Sequence, residues 1–403
     1  MPIRVALATN IISPYRVPLY AALGTTHNWE FKLLSCCEME FDRQWMPAVD
    51  PPFSHKKSFN LSYKRRTTYS SQVHIPLGLW FDLCCFRPDV VISHEMGARS
   101  LIAGIYGLIA RRPFVVWSYV TCHSERDISW KQRLLRKVIL RMAHAVVGMG
   151  SEARRYLQSL GVSGEAIFDA PNAIDSSFRP DGLLPQKRST MREQLGISGL
   201  CYLYVGRLVA AKGIVQLLDA WKIFSKDQDV QASLVLVGDG AQKEMFTQRV
   251  TERNVRGVRF VSFVQPHELP SIYHAADVLV LPTLQDVWGL VVNEAMTFGL
   301  PVICSKYAGC AADLVIEGRN GWLVDPKNQE DLVRTLRKAW DARDKKEAIA
   351  KTGQALIGCL SIQNMAEGFR RAVEYAQSRS MLRSEQSELL PHKAASDDAG
   401  ELG

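Results

Sequence analysis

No run in this chain of 403 residues approaches the roughly 18 consecutive apolar residues that a membrane-crossing helix needs. The longest, LIAGIYGLIA at 101–110, stops at Arg111 and predicts a buried helix. Paired cysteines are lacking too. The nine, at 36, 37, 84, 85, 122, 201, 304, 310 and 359, form no Cys-x-x-Cys pair and no zinc-like spacing with histidine. This excludes a zinc-finger scaffold and predicts a reduced, cytoplasmic protein whose cysteines are mostly small core residues. Glycine is missing from positions 5–23, and neither half carries Gly-x-Gly-x-x-Gly after a strand, which argues against a dehydrogenase. There is no Asp-x-Asp pair in a metal-binding context and no nucleic-acid recognition motif. The amino terminus holds one arginine and a short apolar run that soon meets proline, which predicts a strand and not a signal peptide.

What is present suffices for two ordinary domains: 47% of the residues are hydrophobic and 22% charged. The net charge of +8 is uneven. Residues 1–180 hold 22 lysines and arginines against 14 acids, whereas 181–403 hold 27 of each. The first half contains Lys-Arg-Arg at 64–66 and the helical pattern SWKQRLLRKVILRMAHAVVG. There Trp130, Leu134, Leu135, Val138 and Ile139 interleave with Lys131, Arg133, Arg136, Lys137 and Arg141. Two readings stay open: a basic helix resting on an anionic membrane surface, or a surface helix whose apolar stripe packs into its own domain.

Apolar runs alternate with helical patterns throughout, predicting an α/β protein with parallel sheets. In the first half the strands fall at 4–9, 30–35, 89–94, 113–118 and 144–150, with helices after Pro18, Gly97, Ser129 and Ser151. The stretch 171–199 is rich in proline, serine and glycine and reads as a connection with an amphipathic piece at 191–195. Strands then restart at 201–208, SLVLVGDG, VRFVSFV, VLVLPT, PVICS and GWLVDP, with helices at 213–224, 242–253, before Ala276 and at 290–298. Two doubly wound sheets would leave a cleft at the carboxyl ends of their strands. The expected division is 1–180, 181–363, a helix at 364–380 and a disordered tail at 381–403.

The chemistry-bearing residues cluster in the second half. VGRLVAAKG puts Arg207 after a strand and Lys212 at the start of a helix, so two cations and a helix amino terminus converge on one anion such as a diphosphate. In LPTLQDVWGLVVNEAMTFGLP, Asp286 lies in a post-strand loop, Gly289 and Leu290 open a helix, and Glu294 sits one turn inside it. Carboxylates there suit sugar hydroxyls, and free amides suit phosphate.

Taken in order, VGRLVAAKG, LVLVGDG, VRFVSFV, LPSIYHAADVLVLPT, DVWGLVVNEAMTFGLPVICS and AGCAADLVIEGRNGWLVDP resemble the donor domain of retaining GT-B glycosyltransferases of the family 4 type, glycosyl transferases group 1. The resemblance implies two Rossmann-like domains facing each other across a cleft, with a final helix crossing back onto the first. It implies a nucleotide-sugar donor, a glycan or lipid-linked acceptor, no cofactor, no metal and no nucleic-acid partner. Arg207 and Lys212, beside Gly206, would bind the diphosphate; Glu294 the ribose; Asp286 the transferred sugar; Gly289 and Leu290 phosphate or sugar. Gly238 and Gly240 would form a turn near the nucleotide, and Phe263 and Val264 would line the base pocket. The family's pair is usually Glu-x7-Glu, and Asp286 shortens its first member by one methylene.

The first half matches less well. The family's cleft histidine falls at Trp117 or Ser118, leaving His123 as the nearest candidate, with His94 and Glu95 at another strand end. In NIISPYRVP, Pro14 and Pro18 are expected to stiffen the loop and present Arg16, with Asn10 at the strand end, to phosphate or acceptor; pairing of Arg16 with a surface acid is the alternative. The function implied is retaining sugar transfer in surface polysaccharide or glycolipid synthesis by a cytoplasmic or peripheral enzyme. The alternatives are a GT-B sugar-nucleotide epimerase and a catalytically weakened nucleotide-sugar-binding protein.

Overall fold

Strands of three to seven residues, most of them apolar and most followed by a helix, build two parallel sheets. The computed structural model describes residues 1–40, 43–46, 50–64, 72–178, 185–227 and 229–388. The first sheet uses β1 (Ile3–Thr9), β2 (Trp29–Ser35), β3 (His55–Lys57), and, after a separate antiparallel hairpin of β4 (Leu61–Lys64) and β5 (Gln72–Ile75), β6 (Val90–His94), β7 (Phe114–Ser118), β8 (Ala145–Gly148) and β9 (Ile167–Asp169). Its order is β3-β2-β1-β6-β7-β8-β9, all parallel. Among the described residues five α-helices belong to this half: α1 (Val17–Gly24), α2 (Leu79–Phe86), α3 (Ala98–Ile109), α4 (Trp130–Met142) and α5 (Gly150–Ser159). Leu19, Tyr20 and Leu23 of α1 pack on one sheet face, and Leu83, Ala103, Ile139 and Leu157 of the other four helices pack on the opposite one.

After α6 (Pro185–Gln194) the second sheet uses β10 (Leu200–Val205), β11 (Ala232–Val237), β12 (Val258–Val261), β13 (Val278–Leu281), β14 (Val302–Ser305) and β15 (Gly321–Val324), in the order β12-β11-β10-β13-β14-β15, again all parallel. Its helices are α7 (Ile214–Phe224), α8 (Lys243–Glu252), α9 (Leu269–Ala275), α10 (Leu290–Thr297), α11 (Ala311–Leu314), α12 (Gln329–Asp341) and α13 (Lys346–Gly358). This strand order reverses direction between β10 and β13, and ligands of such sheets bind outside the carboxyl ends at that point. The first sheet reverses likewise between β1 and β6.

The final helix, α14 (Ile362–Glu388), packs on the first sheet and on α1, burying Met365, Phe369, Ala372, Val373 and Ala376 there. This spacing of four, three, one and three residues makes a single helical stripe. The helix continues beyond 380, where a disordered tail was expected, because 381–388 (MLRSEQSE) is composed largely of good helix formers; residues 389–403 lie outside the described residues. So do Arg65 and Arg66 of the Lys-Arg-Arg run. Although 171–199 reads as a connection, α6 within it is fastened to the second half: Arg188 and Arg192 pair with Asp277 at 2.7 and 3.0 Å.

Candidate functional site

Two loops meet at the reversal point of the second sheet. The turn after β10 carries Gly206, Arg207 and Lys212, and the turn after β13 carries Asp286. Backbone bonds join them: Leu284 N–H donates to the Ala211 carbonyl at 2.9 Å, and the Thr283 hydroxyl to the same oxygen at 3.1 Å. Lys212 Nζ forms an ion pair with Asp286 Oδ2, with both side chains largely shielded. Asp286 Oδ1 accepts from the Trp288 N–H at 3.2 Å, so the carboxylate is held on both oxygens. Arg207 is half-buried beside them.

The glycines of this site have packing reasons. A Cβ on Gly213 (φ +69°) would lie 2.0 Å from the Pro282 carbonyl oxygen; one on Gly238 (φ +138°) would lie 2.1 Å from that of Gly206. Gly240 similarly approaches the Leu208 carbonyl. Between the last two, Asp239 accepts from the Phe263 N–H at 2.7 Å and pairs with Lys243 at 2.6 Å, drawing Phe263 and Val264, both half-buried, toward this turn.

Helix α10 opens at Gly289 (φ +96°) with no side chain capping its first amides, leaving Leu290 at an uncapped amino terminus. One turn in, Glu294 Oε2 accepts from the Tyr273 hydroxyl at 2.6 Å. Burial pushes the Glu294 carboxyl up to about 7, with the tyrosine bond opposing the shift. Asp286 and Glu294 therefore rest on separate partners, a lysine and a tyrosine.

The first half reaches this site through the loop after β7. Gln285 Nε2 donates to the backbone carbonyls of His123 and Ser124 at 3.1 and 2.8 Å, and the His123 ring meets Tyr307 edge-on at 5.3 Å. Cys122, His123 and Glu152 place ligand-type atoms within 4.8 Å of one another. Trp117 and Ser118, at the carboxyl end of β7, are both buried. At the end of β6, His94 stacks on Trp117 at 4.0 Å, and burial lowers its imidazole to about 3. Glu95, at φ +68°, accepts from Asn10 Nδ2 at 3.1 Å and from the Tyr119 hydroxyl, with Arg99 as ion partner at 3.4 Å. Asn10 thus belongs to a network at the carboxyl ends of β1, β6 and β7.

Arg16 is corrected on both counts. It is neither presented from a rigid loop nor paired with a surface acid. Only 6% exposed, it lies over the Trp117 ring at 4.6 Å and donates to Asn172 Oδ1 at 2.9 Å. The one-turn 3₁₀ helix Pro14–Arg16 points it inward under α14. Sequence reasoning also missed the chain that continues from there: Asn293 Nδ2 donates to the Asn172 carbonyl at 2.8 Å, and Trp288 Nε1 to Asn293 Oδ1 at 2.9 Å. Gln285, Tyr273 and Asp313, which accepts from the Ser151 N–H at 3.0 Å, were missed too; they lie within the motif stretches, but their partners are set by distant segments that spacing does not reveal.

Residues 187–356 match the family model described as glycosyl transferases group 1. Among curated proteins the chain is 25% identical over 225 residues to mannosylfructose-phosphate synthase of Agrobacterium fabrum, covering 53% of this chain and 49% of that one. It is 33% identical over 155 residues to the sulfoquinovosyl transferase SQD2 of Arabidopsis thaliana, covering 38% and 29%. The chain spans about half or less of the length of these relatives. Among solved structures, Anabaena Alr3699/HepE in complex with UDP superposes with a TM-score of 0.75 at 19% identity, over 93% of this chain and all of that one. WaaG, a glycosyltransferase involved in lipopolysaccharide biosynthesis, gives 0.66 at 19% identity over 91% and 98%. The fold is GT-B, and residues 187–356 belong to glycosyl transferases group 1.

Proposed function

We propose that the chain is a retaining glycosyltransferase that moves a sugar from a nucleoside-diphosphate donor to a hydroxyl of a glycan or lipid-linked acceptor, without a metal, in surface polysaccharide or glycolipid synthesis at the cytoplasmic face. The observation that carries this reading is the Lys212–Asp286 pair beside the uncapped start of α10, with Glu294 one turn inside. A cation and free amides suit a diphosphate, and the carboxylates suit the hydroxyls at either end of the donor. That the solved neighbour HepE is in complex with UDP in one structure and with UDP-glucose in another supports a nucleotide-sugar donor here.

In this reading the donor diphosphate takes Lys212 from Asp286, which frees that carboxylate to accept from the sugar. The bond from C1 to the diphosphate oxygen then breaks while the acceptor oxygen bonds C1 on the same face. The acceptor proton passes to the departing diphosphate, whose charge Arg207, Lys212 and the α10 amides stabilise. Loss of one such cation costs roughly 10²–10³ in rate. The test is nucleotide release from a panel of nucleotide-sugars with membrane or glycan acceptors. Lys212→Ala is expected to lower release at least about a hundredfold; turnover equal to the parent would sink the assignment.

A further inference from the structure

The turn after β7 presents two metal-ligating side chains from a rigid frame. Thr121 and Ser124, both buried, brace each other: the Thr121 N–H donates to Ser124 Oγ at 2.8 Å, and the Ser124 N–H to Thr121 Oγ1 at 3.2 Å. Between them Cys122 is exposed with a free thiol, and His123 is half-buried. The facing carboxylate comes from α5. That helix starts at Gly150 (φ +81°), pressed so closely on the second half that a Cβ there would lie 2.5 Å from Asp313 Oδ2 and 2.6 Å from the Trp288 ring. This contact fixes Glu152 in the first helical turn. Two segments positioned by separate contacts thus bring a thiol, an imidazole and a carboxylate within 4.8 Å of one another.

The donor set selects the ligand. Magnesium, calcium and manganese take oxygen ligands, whereas thiolate, imidazole and carboxylate all bind zinc. Zinc bonds of about 2.0–2.3 Å place tetrahedral ligand atoms roughly 3.4–3.8 Å apart, so side-chain rotations alone close the cluster. Among the described residues no hydrogen bond occupies Cys122 Sγ or the His123 ring nitrogens, and Glu152 gives up a pairing with the exposed Arg155 at 3.2 Å. We propose that Cys122, His123 and Glu152 form a zinc site, its fourth position open to water, and that zinc clamps the turn after β7 to α5. Both clamped segments also hold the second half, the turn through Gln285 and α5 through the Ser151 N–H on Asp313. Zinc therefore stiffens the contact beside the donor loops and slows opening of the cleft. That consequence, unlike the binding, rests on the transfer reading.

The test begins with the full chain and cobalt(II), a spectroscopic stand-in for zinc. One equivalent is expected to give a thiolate-to-cobalt charge-transfer band that is lost in Cys122→Ser and kept in the Cys84→Ser, Cys85→Ser control. His123→Gln and Glu152→Gln should each weaken binding at least about tenfold. On the parent protein, zinc should displace the cobalt, shield Cys122 from iodoacetamide, and slow amide hydrogen exchange over 119–126 and the first turn of α5; these readouts do not depend on the variants folding. In the nucleotide-release assay zinc should slow the parent severalfold and leave Cys122→Ser unaffected. A band that survives Cys122→Ser, or Cys122 alkylated equally with and without zinc, overturns the site. Zinc bound with exchange and release both unchanged overturns the clamp. A zinc-binding chain that releases nucleotide from no donor leaves the site standing and removes the transfer reading.

Discussion

Glu294 shows how one residue's surroundings set its chemistry. Its carboxyl is raised from 4.5 to about 7 because burial penalises the charge. Between about pH 4.5 and 7 the folded chain keeps a proton that the unfolded chain has released, so this group's contribution to stability falls as pH rises across that interval. Donor hydroxyls favour the ionised carboxylate. Nucleotide-sugar binding is therefore expected to release protons near neutral pH and to tighten as pH rises through about 7, measured by calorimetry in buffers of different ionisation heat. In Glu294→Gln this pH dependence should vanish, with affinity reduced about tenfold or more; a persisting pH dependence would assign it elsewhere. That Lys212, Asp286 and Glu294 belong together was legible from their motifs. That Lys212 neutralises Asp286 before any donor arrives was not, because 74 residues separate them. Arg16 was misread for the same reason: its partners Trp117, Asn172 and Met365 are set by three distant segments.

At the level of elements, the strands of both sheet centres were readable because residues buried on both faces form continuous apolar runs. The edge strand β3, His-Lys-Lys, is exposed throughout, and its pairing with β2 comes from position rather than pattern. Helix α4 was readable as amphipathic, but which apolar residues face inward depends on how α3 lies beside it. The turn between β10 and α7 is governed by Gly213, which needs both a positive φ and the missing Cβ. Gly213→Ala is expected to cost on the order of 1–3 kcal/mol and to weaken donor binding, because it pushes against the Pro282 carbonyl, four residues before Asp286. Urea unfolding midpoints and donor titration of the same variant would check both; an unchanged midpoint would mean the turn relaxes freely.

For the whole molecule, the last helix and the linker hold two separately wound sheets together. Phe369, fully buried in α14, meets the Trp117 ring at 5.0 Å, and Trp117 is also the platform for Arg16 and His94. Phe369→Ala is expected to destabilise by about 3–5 kcal/mol, measured by denaturant unfolding, through the cavity left under the first sheet. A loss below about 1 kcal/mol would show that α14 is not needed to cover that face. The sequence by itself determined the strand–helix alternation, the parallel sheets and the motif loops of the second half, because these follow from local periodicity and short spacings. Only the tertiary structure decided the Arg16–Asn172–Asn293–Trp288 chain, the Gln285 contact across the cleft and the Cys122–His123–Glu152 cluster. Those depend on which residues distant segments bring within bonding reach, and no local pattern encodes that.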